Sequence, residues 1–344
     1  MAAAAQGTSL KSYLLTRLAL VVPMVLILLT FVFLLMRVAP GDPISASLGG
    51  HVPQSVIIDI KHRLGFDQPL WRQYIEYLGD IARGNFGRTI TDQRPISDII
   101  LVNGAATLEL TFFAMIVAVV VGVIVGLVAG RFRDTPWDVG GRLFGIVIYA
   151  MPVFFIGLMA QLFFGSYLGW LPTSGRASPI TQATLVTHTN IYTIDAIIDG
   201  NWSALKDVVL HLILPAVTLG LVTAGVFIRL IRVNVIRTLK DDHIEAARAR
   251  GIAERDVVYR HAFKNALVPV ITVVGLSLAL LLGGAVLTET TFNWPGIGHE
   301  LVLYLENRDY NAVQGIVVVF GLVVVFVSLL IDIVNAFIDP RIRY

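Results

Sequence analysis

The chain has 344 residues, 56% hydrophobic and 15% charged, with a net charge of +2 and a mean hydropathy of +0.76. So apolar a composition excludes an ordinary soluble domain and makes the chain an all-α polytopic membrane protein, while the small net charge gives no reason to expect nucleic acid. The absence of cysteine excludes disulfides and thiolate metal sites.

Six segments are apolar over the roughly 20 residues needed to cross about 30 Å of hydrocarbon. They are Leu18–Met36, Ala105–Ala129, Leu143–Leu168, Leu212–Ile231, Leu267–Thr288 and Val313–Ala336. The first is too long for the core of a signal peptide, and "RVAPGDP" after it offers no small-x-small cleavage site, so it is expected to be retained. The loop Arg37–Gly104 holds two amphipathic stretches. Pro53–Gly65 puts Ile57, Ile60 and Leu64 on one helical face and stops at glycine, and Pro69–Gly84 repeats Leu70, Trp71, Tyr74, Ile75, Leu78 and Ile81 at three-four spacing. These helices are expected to lie against something apolar, either the bilayer surface or the spans themselves, as a small cap.

The second span carries Gly122, Gly126 and Gly130, a small-xxx-small ridge that reads as close helix packing. Pro152, Pro215 and Pro269 are placed at or near the starts of spans, where a missing N–H costs little. In the third span Tyr149, Met151, Phe154 and Phe155 read chiefly as packing residues, a passage lining being the alternative. The loop Gly169–Lys206, rich in Pro, Ser, Thr, Gly and Asn, is expected to be irregular.

Basic residues set the orientation. One side collects Lys11 and Arg17, then Arg131, Arg133 and Arg142, then nine from Arg229 to Lys264, then Arg341 and Arg343. The short loops of the other side hold only Arg176, Lys206 and Arg308. Both termini are therefore expected in the cytoplasm.

The spans lack the ionisable residues that mark proton relays and ion sites: Glu109 and Asp332 lie near span ends and the middles are free of charge. There is no H-E-x-x-H, no spaced histidine set, no intramembrane aspartate pair and no Gly-Lys dipeptide from which a Walker A loop is built. If transport is active, its energy must come from another polypeptide.

One charged stretch stands between two very apolar runs: "HIEAARARGIAERDVVYRHAFKNALVP", His243–Pro269. Asp241 and Asp242 suit a positive helix start, Ile244–Arg250 is built of helix formers, and Gly251 suits a left-handed stop. A second helix follows, with Tyr259, Ala262, Phe263 and Ala266 on one face and Asp256 and Arg260 as an i,i+4 pair. Ala246, Ala247 and Ala249 make the first helix thin enough for a partner surface to approach its backbone. A basic loop between spans is also what the orientation rule alone produces.

Glu245-Ala246-Ala247, three residues, then Gly251 resembles the "EAA…G" loop of permease subunits of binding-protein-dependent ABC importers. The resemblance runs nearly end to end and narrows to the dipeptide/oligopeptide/nickel branch, first of its two permeases. It is carried by "RVAPGDP" (Arg37–Pro43), "LGFDQPLWRQYIEYLGDIARGNFGRT" (Leu64–Thr89), "ATLEL" (Ala106–Leu110), "LPTSG" (Leu171–Gly175), "HLILPAVTLG" (His211–Gly220), "RHAFKNALVPVIT" (Arg260–Thr272), "TETTFNWPGIG" (Thr288–Gly298) and "DPRIRY" (Asp339–Tyr344). The chain departs in lacking a proline before "ATLEL", in the added stretch Thr181–Gly200, and in having Ile244 and Ala246 where tyrosine and threonine are frequent.

The resemblance implies a type I ABC importer permease fold with six transmembrane helices. Residues 1–36 would be the cytoplasmic N-terminus and first helix, 37–104 an extracytoplasmic helical loop, and 105–344 a five-helix core containing a cytoplasmic coupling loop, 232–266. It implies a bacterial plasma-membrane location and, as partners, a second permease, two cytoplasmic ATPases that bind the ATP and magnesium, and an extracytoplasmic substrate-binding protein. It implies coupling through Asp242, Glu245, Ala246, Ala247 and Gly251, di- or oligopeptide cargo, and no cofactor or catalytic residue in this chain. A stand-alone channel, a membrane scaffold, or the same importer class carrying nickel or another small solute are the readings it competes with.

Overall fold

The computed structural model describes residues 10–38, 53–63, 65 and 67–338. Ala39–Pro43 of "RVAPGDP", Leu64 and Asp339–Tyr344 therefore lie outside the described residues. Among those described the chain is helical, its one β feature an isolated bridge between Arg88 and Pro95. Among the described residues four helices are long and apolar enough to cross a membrane: α1 (Leu10–Val38), α4 (Ile96–Arg131), α9 (Trp202–Thr238) and α16 (Tyr310–Ile338). Their many Val and Ile residues are poor helix formers in water, but in lipid every backbone N–H and C=O must find its partner within the segment. Two bent helix pairs make six spans if each counts as one.

Contacts divide the chain into two compact units, 1–107 with 282–286 and 295–344, and 108–281 with 287–294. In the first, α1 packs along α16, with Leu29 and Val32 against Val318. The first amphipathic stretch is α2 (Gln54–Arg63), stopped before Gly65 at φ +67°; the second is α3 (Leu70–Ala82). Only part of the expected α3 face is covered. Tyr74, Leu78 and Ile81, with Tyr77, turn to α1, while Leu70, Trp71 and Ile75 remain exposed. Helix α15 (Ile297–Glu306) begins against α4, where the Ile297 N–H donates to Thr107 Oγ1 at 2.9 Å and Asn103 donates to the Pro295 carbonyl at 2.9 Å. Asp309, fully buried, caps α16 through the Ala312 N–H at 3.1 Å and takes the Ile90 and Thr91 amides at 2.6 and 2.8 Å, tying the loop before α4 to the start of α16.

In the second unit the glycine ridge of α4 meets α9. A Cβ on Gly126 would lie 2.8 Å from the Ile228 carbonyl and one on Gly130 3.0 Å from Val235, while Gly122 sits against Phe227. The packing reading of the ridge is what the geometry contains: backbones touch where lipid supplies no hydrophobic drive. The third expected span is not one straight helix. It is α5 (Pro136–Ala150) and α6 (Val153–Ala160), continued by a π turn over Gln161–Tyr167 and bent by 101°. Pro152 disfavours helical geometry at Met151, which is extended (φ −77°, ψ 137°), so the proline marks a break rather than a span start. Pro215 too is misplaced by the sequence reading: α9 begins at Trp202 and holds Pro215 buried inside it. Tyr149, Phe154 and Phe155 are exposed on this chain and do not fill its core.

The outer loop is more ordered than its composition suggests. It contains α7 (Pro179–Thr184), whose N-cap Ser178 accepts from the Thr181 N–H, and α8 (Tyr192–Ile198). Leu185, Ala196 and Ala204 form its small core. It is pinned to α4 by a buried ion pair, Arg176 to Glu109 at 2.6–2.8 Å, with the Thr193 N–H donating to the other Glu109 oxygen at 2.7 Å and Arg176 stacked 3.9 Å over the Tyr192 ring. A carboxylate buried this way needs every one of these partners.

Candidate functional site: the hinged loop helix

Helix α9 runs without a membrane-level break to Thr238, turns at Leu239–Asp241, and gives α10 (Asp242–Ala249). Asp241 sits at the N-cap with extended backbone and makes no side-chain cap bond, so its contribution is charge beside the helix start. At about 100° per residue, Asp242, Glu245, Ala246 and Ala249 share one face. All four are exposed. Ile244 and Ala247 take the opposite side and are buried against Val257 and Ala262, with Leu239 and Ile252 alongside. The structure thus brings together three of the residues singled out from sequence, Asp242, Glu245 and Ala246, and separates Ala247, which fastens α10 to its own chain.

Gly251 closes the helix as expected. Its φ is +77°, its N–H donates to the Arg248 carbonyl at 2.9 Å, and the Ile252 N–H reaches the Ala247 carbonyl at 3.3 Å, a Schellman turn with Ile252 folded onto the α10 core. No atom lies within 4 Å of where its Cβ would be, so the requirement there is the left-handed backbone, not space. Across the turn Arg248 grips Glu254 with both forks, Nε to Oε2 at 3.0 Å and Nη2 to Oε1 at 2.8 Å. That hydrogen bond, partly offset by desolvation, raises the Arg248 pKa. Spacing of six residues matches no helical face, which is why sequence reading missed this pair: only the turn at Gly251 brings it together. His243 and Asn265, 3.1 Å apart, make a second link from α10 to the chain beyond.

After the turn come α11 (Glu254–Asp256), a π turn over Val257–Ala262, α12 (Phe263–Ala266), α13 (Val268–Gly284) and the short α14 (Val286–Thr291). The expected face is shifted. Val257, Val258, Ala262 and Ala266 are buried, whereas Tyr259 is exposed beneath Arg131, whose guanidinium lies 5.6 Å from the ring centre. The wider π turn moves the register that an ideal helix would impose. The Asp256–Arg260 pair is present at 3.4 Å on the surface.

The helix that leads into the loop is itself anchored. Arg232, in the last turns of α9, donates to Asp138 in the first turn of α5 through Nε at 2.5 Å and Nη2 at 2.8 Å. Asp138 is fully buried and also accepts the Asp134 N–H at 3.0 Å, with Arg142 at 3.5 Å. Sequence reading counted Arg142 and Arg232 only as orienting charge; a pair 94 positions apart leaves no local pattern.

This is a multi-pass, all-α membrane protein that presents a short hinged helix at one surface. Residues 118–344 match the family described as the binding-protein-dependent transport system inner membrane component, and residues 10–96 match the N-terminal family of such membrane components. The chain belongs to this family. It is 37% identical over 333 residues to the dipeptide transport system permease protein DppB of Alkalihalophilus pseudofirmus, covering 97% of this chain and 99% of that one. It is 37% identical over 334 residues to the di/tripeptide transport system permease protein DppB of Pseudomonas aeruginosa, with the same coverage. It is 34% identical over 333 residues to the glutathione transport system permease protein GsiC of Salmonella choleraesuis, again covering 97% and 99%.

Proposed function

We propose that this chain is one of two membrane-spanning permeases of an ATP-driven peptide importer, and that α10 is the lever through which partner ATPases move it. Its relatives are named for dipeptide, di/tripeptide and glutathione transport, and the cargo shared by those names is a short peptide. The observation that carries the lever reading is the two-sided character of α10: Ile244 and Ala247 hold it to its own chain, while Asp242, Glu245, Ala246 and Ala249 face outward with almost no side-chain bulk between two carboxylates. A cleft lined with basic or amide groups is the complement of such a face. Motion imposed on it would pass through the Gly251 turn to α13 and, through α9 and the Arg232–Asp138 pair, to α5. Both termini and this loop lie on the cytoplasmic side, a second permease completes the pathway, and a substrate-binding protein delivers cargo from outside. ATP and magnesium belong to the ATPases; this chain's part is the gate.

The test is co-purification and reconstitution. The complex is expected to carry ATPase subunits and to show peptide-stimulated ATP hydrolysis and uptake, with Glu245→Lys releasing the ATPase or abolishing stimulation. Solute flux through the purified chain alone, or full coupling in Glu245→Lys, overturns the reading.

A further inference from the structure

We propose that α3 is a membrane-anchoring helix whose Trp71–Ile75 edge is seated in phospholipid, in the leaflet at the Arg37 end of α1. The inference needs only that α1 crosses the bilayer; it does not depend on cargo or on ATPase coupling.

At about 100° per residue α3 has three arcs rather than two. One carries Tyr74, Tyr77, Leu78 and Ile81 and is packed on α1 and α16: Tyr74 Oη lies 2.6 Å from Thr30 Oγ1, its ring is 5.2 Å from that of Phe33, and Leu78 and Ile81 join the cluster of Leu29, Val32 and Val318. A second arc carries Glu76 and Asp80 and lines a polar cleft of about 170 Å³ that it shares with Arg37, Asn311 and Gln314. The third arc, opposite the cleft, is Trp71 and Ile75, 66% and 61% exposed. An apolar arc left bare on a helix whose other two sides are accounted for requires an occupant.

Depth says which. Arg37 ends the apolar run of α1 and donates through Nε to Gln73 at 2.9 Å, so Gln73 sits level with the end of the span. Thr30, the partner of Tyr74, precedes Arg37 by seven residues, which is about 10 Å along a helix rising 1.5 Å per residue. The helix therefore packs beside the last turns of α1 instead of above them. That is the level, about 5–10 Å into the boundary between headgroups and acyl chains, at which interfacial helices bury their apolar faces. Between Thr30 and Arg37, α1 itself leaves Phe31, Leu34 and Leu35 exposed, the pattern of a helix that meets lipid at these heights. Tryptophan at this depth is the side chain enriched there, having an apolar ring and one N–H for the headgroup layer. Arg72, paired with Glu76 at 3.2 Å, marks the polar margin of the buried edge.

The experiment replaces single exposed residues by a photocrosslinking amino acid in the assembled importer, in its own membrane: Trp71→p-benzoylphenylalanine, Ile75→p-benzoylphenylalanine and, on the polar margin, Arg72→p-benzoylphenylalanine. On illumination, phospholipid adducts identified by mass are expected at positions 71 and 75, with their loss at 72. Crosslinks at 71 and 75 to a second permease or to a binding protein overturn the proposal, making the edge a subunit contact. So does the absence of any adduct at both positions, which would place the edge in water.

Discussion

Gly251 and Asp138 make opposite demands on their replacements. At Gly251 nothing lies within 4 Å of a Cβ, yet φ is +77°. For an L-residue the left-handed conformation costs about 1–2 kcal/mol, and asparagine tolerates it better than alanine or a β-branched residue. Gly251→Asn is therefore expected to keep peptide-stimulated ATP hydrolysis near the wild-type level and Gly251→Val to lose most of it, both assembling normally. Equal activity in the two variants would show that the turn is not what couples α10 to the chain beyond. At Asp138 the demand is charge. The carboxylate is fully buried and bidentate to Arg232, so removing one partner strands the other, at a cost of about 3–5 kcal/mol. Asp138→Asn is expected to lower the thermal midpoint of the detergent-solubilised protein clearly, and Asp138→Asn combined with Arg232→Gln by much less than the two single losses added. Additive losses in that cycle would mean the two side chains act independently.

Helix α4 offers a control within one element. Gly104 has nothing within 4 Å of a would-be Cβ, whereas on Gly126 that atom would come 2.8 Å from a backbone carbonyl of α9, which cannot swing aside as a side chain would. Gly104→Ala is expected to be neutral or to stabilise by up to about 1 kcal/mol through helix propensity. Gly126→Ala should instead force α4 from α9 and lower the yield of folded protein in membranes; the same yield for both would remove the close-packing argument. Features of this kind explain what was legible beforehand. Apolar runs, the Gly122–Gly130 ridge and the stop at Gly251 are local patterns, and local patterns survive in a sequence. The register of a π turn, which moved Tyr259 off the buried face, does not, and neither does the inward aim of Ala247, since one alanine on a short helix looks like the next. The outer loop reads as irregular in sequence because α7 and α8 are too short for periodicity to rise above the Thr, Asn and Ser content around them. What orders that loop is Glu109 reaching Arg176, a contact across 67 positions. Asp138 with Arg232 repeats the lesson: long-range ion pairs cannot be read from spacing.

For the whole molecule the decisive quantity is the number of crossings, because the two bent pairs control it. Four long helices cross on length and composition alone. If Pro136–Ala150 with Val153–Tyr167, and Glu254–Ala266 with Pro269–Leu282, each cross once, the loop holding α7 and α8 faces the side opposite the termini, and α10 faces the same side as the termini. If neither crosses, α9 runs the other way, α10 shares a side with α3, and the proposed ATPase lever is on the wrong face of the membrane. Charge separates these cases. Nine basic residues lie from Arg229 to Lys264, against Arg176 in the loop before α9 and Lys206 at the start of that helix, and short loops rich in Lys and Arg stay in the cytoplasm. Six crossings are therefore expected, and the chain's lack of cysteine makes the test clean. In intact cells Thr187→Cys, on the exposed outer loop, is expected to react with a membrane-impermeant maleimide, and Arg255→Cys only once the membrane is permeabilised. With the N-terminus in the cytoplasm, the reverse pattern would mean that the first bent pair is re-entrant. It would also remove α10 from the reach of any cytoplasmic motor, since no rearrangement of side chains can carry a charged helix across about 30 Å of hydrocarbon.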